Sequence, residues 1–345
     1  MTPPSTSSQT DAPPAPTAAA GAPRLSAVVV HWRDGEHLEE LLASWPRDPR
    51  FELLVVDNSA AEAGPTHPQD PEPARWLRPE ANLGFAGGAN FGIRRARAPW
   101  VLLLNPDARP VEGALEALLQ GIEKHPEAAG LAPAMEGDDG SPQHRWQLRP
   151  LPSRRTLLLH CLLLPAGQGS TTAPAAGSAV QQPAAAALAL RRQVVLQLGG
   201  LDDGFYPAWF EDVDIALRLH QGGHRLIYWP QARFVHAMGA SVSSLGYGSF
   251  SWIYYRGLAR YLEVHHGKGW RLLGRCALTL GVGLRLLALP LRRPRRARSR
   301  GEAAKALLQT MAGAISDFHW PAAMAQRYRR PVALETTTEP AEDSP

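Results

Sequence analysis

The sequence predicts an α/β protein, with a mostly parallel central sheet followed by a C-terminal helical extension. Three observations carry that expectation. Unbroken apolar runs recur at Leu25–Val30, Phe51–Val56 and Trp100–Leu104, as in strands buried on both faces. Segments with helical apolar spacing separate them. Asp57 and Asp107 each stand just past such a run, and open α/β sheets bind ligands in the crevice beyond the carboxyl ends of their strands.

The elements follow in order. Leu25–Val30 is the first strand, and Glu36–Trp45 spaces Leu38, Leu41, Leu42 and Trp45 as a helix does. Phe51–Val56 is the second strand, halted at the turn Asp57-Asn58-Ser59. A proline-rich loop covers Gly64–Pro73, and Arg75–Leu77 is a short third strand. Asn82–Gly88 is a glycine-rich turn into a helix at Ala89–Ala98, and Trp100–Leu104 is the fourth strand, ending at Asn105-Pro106-Asp107. Residues 137–182 are rich in Pro, Gly, Ser and Gln and give no element. Ala184–Leu190 reads as a strand and Arg192–Leu198 as a short helix ended by Gly199-Gly200. Val213–Gln221 is a helix stopped by Gly222-Gly223. Two short strands follow at Arg225–Trp229 and Ala232–His236, then helices at Ser249–His265 and Glu302–Phe318.

Composition shifts divide the chain. Residues 1–23 are Pro, Ala, Ser and Thr without an apolar signal-peptide core, so a disordered tail is expected there, and another at 331–345. Residues 24–240 form the α/β domain and 241–330 the helical extension. Trp270–Leu291 is apolar enough to suggest a membrane span, but it carries Arg271, Arg275 and Arg285. A central Arg costs about 2.5–3.5 kcal/mol on insertion scales, so the segment is expected to lie at an interface. The basic run Arg292–Arg298 follows at once, and anionic lipid attracts such charges at about 1 kcal/mol each. An anionic membrane surface is thus an expected partner, with an ordinary packing helix and a solvated basic tail as the alternative. The basic run lacks aromatic interleaving, so nucleic acid is not expected. The formal charge is +4, and Cys161 and Cys276 lie in no CxxC context, which fits a reducing cytoplasm.

Several residues could carry chemistry. Asp107 could offer a carboxylate to a hard divalent cation, which commonly uses one or two carboxylates plus substrate phosphates; a plain Asx-type turn explains it as well. Asp57 could accept from a base N–H or a ribose hydroxyl, with the same alternative. The turn Asn82–Asn90 permits close backbone approach at a helix N-terminus, which favours anions. His236 ends an apolar stretch and suits Mn²⁺ more than Mg²⁺ as a neutral ligand, or it is simply a core histidine. In Phe210-Glu211-Asp212-Val213-Asp214, helix electrostatics and pairing with Arg218 account for Glu211 and Asp214. Asp212 is left over for chemistry.

The order and spacing of these pieces resemble glycosyltransferase family two, in its rhamnosyltransferase-like branch. The matching pieces run from Val28-Val29-Val30-His31-Trp32 through Val56–Ser59, Asn82–Asn90 and Leu103–Asp107. They continue through Gln182–Ala186, Gly199–Asp203 and Phe210–Asp214 to Phe234-Val235-His236. Asn105 stands where the family's metal motif has its first acid, Leu201 where Phe is usual and Asp203 where Glu is usual. The resemblance implies a GT-A fold and an inverting, metal-dependent transfer from a nucleotide-sugar, with dTDP-rhamnose the favoured donor. It implies a glycan or polyprenyl-diphosphate-linked acceptor, at the inner face of the plasma membrane. Val30, Trp32, Asp57, Asn58, Asn82, Gly84, Asn90 and Asp107 would bind the donor. Asp107 and His236 would hold Mg²⁺ or Mn²⁺, Asp212 would be the base, and Trp209, Phe210 and Glu211 would line the acceptor or sugar pocket. A non-catalytic nucleotide-sugar-binding protein is one alternative. A nucleotidyltransferase of related fold is another, although the Gly-rich basic run usual after its first strand is missing at Arg33-Asp34-Gly35.

Overall fold

The computed structural model describes residues 21–33, 35–59, 72–165, 169–237, 245–291, 297 and 299–319. The first half contains β1 (Leu25–His31), α1 (Gly35–Ser44), β2 (Phe51–Asp57), β3 (Arg75–Leu77), α2 (Gly84–Arg95) and β4 (Trp100–Leu104). It continues with β5 (Ala108–Pro110), α3 (Ala114–Lys124), β6 (Ala128–Glu136), α4 (His144–Gln147), β7 (Leu148–Arg149) and α5 (Arg154–Cys161). Then come β8 (Ala179–Val180), β9 (Gln182–Pro183), β10 (Ala187–Arg191), α6 (Arg192–Gln197), α7 (Glu211–Gln221) and β11 (Arg225–His236). The chain closes with α8 (Tyr247–His266), α9 (Lys268–Ala288) and α10 (Arg300–Ile315).

Among the described residues nine strands form the main sheet, in the order β3-β2-β1-β4-β10-β6-β11-β5 with β8 beside β11, and β7 and β9 pair in a separate two-stranded sheet. β1, β4 and β2 are buried at nearly every position because helices cover both faces. β1 pairs in parallel with both β2 and β4, and β6 pairs in parallel with β11. β10 enters antiparallel between these two units. The stretch expected to form two short strands is one long strand, β11. Its register shifts between Trp229 and Arg233, and Pro230, which cannot donate to a ladder, sits in that irregularity.

The core has two layers and an annex. On one sheet face Leu41, Trp45, Leu115 and Leu118 pack with Trp229 and Phe234; on the other Ile93, Ile215 and Leu219 pack with Val28 and Leu103. The third cluster joins Phe205, Tyr206, Phe210 and Val213 to Trp252, Tyr261, Leu278 and Phe318 from the C-terminal helices. The acidic stretch and the helical extension therefore share one apolar core. The helices expected at Ser249–His265, Trp270–Leu291 and Glu302–Phe318 form as α8, α9 and α10, with ends that move by one to three residues. Among the described residues no helix is long and apolar enough to cross a membrane. Most of the basic run Arg292–Arg298, and both terminal tails, lie outside the described residues.

Candidate active site

Backbone pairing brings Asp107 and His236 together. β5 pairs antiparallel with β11, setting His236 opposite Ala108, and the Ala237 N–H donates to the Asp107 carbonyl at 3.0 Å. Both side chains are almost wholly buried, and Asp107 Oδ1 lies 3.5 Å from His236 Nε2. That carboxylate oxygen has no hydrogen-bond donor among the described residues. On the far side of the ring, His236 Nδ1 lies 2.9 Å from Gln143 Oε1, while Gln143 Nε2 donates to the His236 carbonyl at 2.8 Å. Trp146 stacks on the imidazole at 5.2 Å between centroids. Two buried atoms with lone pairs thus face one another across a gap without a proton donor, an arrangement that a hard cation fits. No third His, Cys, Asp or Glu joins them among the described residues, so a cation here would need further oxygens from substrate or water.

The acidic stretch turns sharply before α7. Trp209 and Phe210 both have left-handed backbone, with φ of 74° and 77°. Each costs a bulky residue roughly 1–2 kcal/mol, and such strain persists only where surroundings enforce it. The turn puts three acids in the first helical turn. Asp214 points into the protein, where its Oδ2 accepts from Arg218 at 2.6 and 2.8 Å, the pairing expected from spacing. Glu211 is buried and its Oε2 has no partner among the described residues. Burial, then the Asp212 charge, pushes its carboxyl well above the usual range. Asp212 is partly open. Its Oδ1 caps the Val213 N–H at 2.8 Å, and its Oδ2 faces Gln182 Nε2 at 3.3 Å and Arg149 Nη2 at 4.0 Å. Burial raises the Asp212 carboxyl, and the Arg149 guanidinium pulls it back down.

Helix α8 braces this loop. Arg260 grips Asp202 through three hydrogen bonds of 2.7–3.1 Å, and Arg256 donates to the Tyr206 carbonyl. His265 Nε2 lies 2.8 Å from Asp214 Oδ1. At Gly257 the helix comes so close that a Cβ would sit 2.7 Å from the Trp209 carbonyl oxygen. The Phe210 ring lies 5.3 Å from Tyr254 and 5.6 Å from Tyr261, inside the third core cluster. The Phe210 ring thus anchors the loop to the extension. Trp209 is half-buried and meets Phe250 edge-on.

Other expected donor-side residues sit at the β1 and β2 ends. Val30 is buried and Trp32 half-buried. Asp57 Oδ1 accepts from the Ser59 N–H at 3.0 Å and from the Ser59 hydroxyl. Asn58 Nδ2 donates to the Gly84 carbonyl at 2.9 Å and its Oδ1 accepts from the Leu83 N–H, so this amide holds the glycine-rich turn. Asn82 Oδ1 accepts from the Gly84 N–H. Gly84 has φ of 69°, and a Cβ there would lie 2.7 Å from the Tyr206 ring. Asn90 binds both the N–H and the carbonyl of Leu201, so its amide fastens α2 to the Gly199-Gly200 bend.

The sequence reading has no role for Gln143, Trp146 and Arg149. They lie in a Pro- and Gly-rich segment without hydrophobic period, and only the fold brings them to His236 and Asp212.

Residues 26–172 match the family model described as glycosyl transferase family 2. The N-acetylglucosaminyl-diphospho-decaprenol L-rhamnosyltransferase of Mycobacterium tuberculosis is 28% identical over 264 residues, covering 70% of this chain and 81% of the relative. The pre-mycofactocin glycosyltransferase of the same organism is 29% identical over 222 residues, covering 59% of this chain and 42% of its own length. Among solved structures, GalNAc-T7 with UDP, GalNAc and Mn²⁺ superposes with a TM-score of 0.50 at 14% identity, over 89% of this chain and 58% of that one. The fold is the expected GT-A fold.

Proposed function

We infer that this chain, a family 2 glycosyltransferase of the rhamnosyltransferase-like kind, moves a sugar from a nucleotide-sugar to an acceptor hydroxyl with inversion at the anomeric carbon. The carrying observation is the buried pair Asp107 and His236 at the strand ends, tied by residues 143–149 to the partly open carboxylate of Asp212. Likeness to the mycobacterial rhamnosyltransferase favours dTDP-rhamnose as donor and a polyprenyl-diphosphate-linked sugar as acceptor.

Mg²⁺ or Mn²⁺ held by Asp107 and His236 would supply neutralising charge for the departing nucleotide diphosphate. Asp57 takes the nucleotide base or ribose, and Val30 and Trp32 flank it. The turn shaped by Asn58 and Asn82 presents its backbone to the nucleoside side. Asp212 Oδ2 receives the acceptor proton while the acceptor oxygen forms its bond to the anomeric carbon from the face opposite the breaking carbon–phosphate-oxygen bond. The nucleotide diphosphate leaves with that electron pair. Arg149 and Gln182 keep Asp212 ionised until the proton arrives, while burial keeps it basic enough to hold one. Burial and the neighbouring Asp212 charge favour the neutral form of Glu211, which lessens the negative charge beside the base.

The extension supports a membrane-borne acceptor. Leu272, Leu273, Leu280, Leu284, Leu287 and Leu291 are exposed on one side of α9 and its end. From Lys268 to Gly301 the chain has Lys and Arg but no Asp or Glu. An apolar stripe followed by a positively charged run suits an anionic bilayer surface.

The test is a panel of nucleotide-sugars with Mg²⁺ or Mn²⁺, read first by thermal shift and then by NMR of the anomeric configuration of the transferred sugar. Inverted product from one donor is expected; a retained configuration, or no turnover with any donor and a lipid-linked acceptor, contradicts the reading.

A further inference from the structure

We infer that Gln143 is a positioning residue that fixes the tautomer of His236 and so keeps the Asp107–His236 pair open to a cation; this rests on the metal site proposed above. A carboxamide has one donating and one accepting end. The end of Gln143 that lies 2.8 Å from the His236 carbonyl oxygen faces an acceptor, so it is the NH₂. The other end, 2.9 Å from His236 Nδ1, is therefore the carbonyl oxygen, which can only accept. The ring proton accordingly resides on Nδ1, and in the neutral imidazole Nε2 keeps its lone pair. Nε2 is the atom that looks across 3.5 Å at Asp107 Oδ1.

Without Gln143 the ring would take the other tautomer. An Nε2–H would donate to the Asp107 carboxylate and satisfy both buried groups at once, and the pair would close on itself. Gln143 forbids that by claiming the single proton for the opposite nitrogen. Its own position is firmly set: its N–H donates to the Met135 carbonyl at 2.8 Å, and its carbonyl accepts from the Gln147 N–H at 2.9 Å. The side chain is buried, so water does not compete for it. Trp146, in the short helix α4 that Gln143 precedes, stacks on the imidazole and holds its plane.

Two measurements on the full chain test the idea. In metal-free protein at about pH 8.5, two units above the ordinary imidazole value, proton–nitrogen correlation NMR should show His236 as the Nδ1–H tautomer. Its signal is assigned by loss in His236→Ala. An Nε2–H tautomer overturns the inference, and this reading needs no folded Gln143 variant. Mn²⁺ binding followed by electron paramagnetic resonance is the second. Gln143→Leu should weaken affinity about 10–100-fold, the usual cost of losing a partner of a metal-bound His. Leu binding Mn²⁺ like the parent overturns the inference. If Asp107→Asn also binds like the parent, the metal site itself is wrong and the inference falls with it; if only Gln143→Leu does, the metal site stands and Gln143 has no part in it.

Discussion

His265 Nε2 on α8 lies 2.8 Å from Asp214 Oδ1 on α7, two positions from the proposed base. The contact joins the C-terminal extension to the helix that bears this residue. With Arg260 on Asp202 and Gly257 against Trp209, it makes α8 a brace for the acidic loop.

Removing that brace should cost both stability and turnover. His265→Ala leaves one oxygen of a buried carboxylate without a partner, a loss of about 1–3 kcal/mol. Urea unfolding should show a midpoint below the parent, and kcat should fall as the loop loosens. A variant as stable and as active as the parent would mean that the extension only rests against the domain.

Arg149 should set the pH at which the base works. Its guanidinium favours the ionised form of Asp212. Arg149→Gln should therefore raise the Asp212 pKa and move the acid limb of kcat/KM to higher pH. Arg149→Lys should restore most of the shift. An unmoved acid limb would remove Arg149 from the account.

Glu211 supplies a stability signature. Its folded pKa lies above the ordinary glutamate value of 4.5. The folded state then holds the proton more tightly than the unfolded state. Its contribution is fully present below the ordinary value and is lost as pH rises through the raised one. Glu211→Gln should abolish that slope, so that the variant gains on the parent as pH rises. Urea unfolding at acidic and neutral pH checks this; identical pH slopes in parent and variant would contradict it.

The exposed leucines of α9 should matter only at membranes. Leu280→Glu with Leu287→Glu puts two charges on the stripe, facing away from the core. Flotation with anionic vesicles should drop while the melting temperature stays near the parent's. Undiminished flotation would contradict a bilayer-facing α9.

The fold was legible where residues repeat. β1, β2 and β4 are largely apolar because helices cover both faces, and that leaves a direct mark in composition. Asp57 and Asp107 were findable because each follows such a strand. Asp212 emerged by elimination, since Asp214 pairs with Arg218. Segment 143–149 was not legible: α4 and β7 are too short to show a period, and Gln143 and Arg149 acquire their roles only through neighbours 93 and 63 positions away. The packing of Phe210 was hidden for a related reason: a left-handed turn, which composition does not reveal, sends its ring into the extension's core.

The central claim is that Asp212 removes the acceptor proton. Asp212→Asn keeps the shape of the side chain and its cap on α7 while removing the base. With the donor identified, transfer by this variant should fall at least about a hundredfold, the usual contribution of a general base. Donor and Mn²⁺ affinity, read by calorimetry on the same protein, should match the parent. Transfer near the parental rate by a folded, donor-binding Asp212→Asn protein would contradict the account.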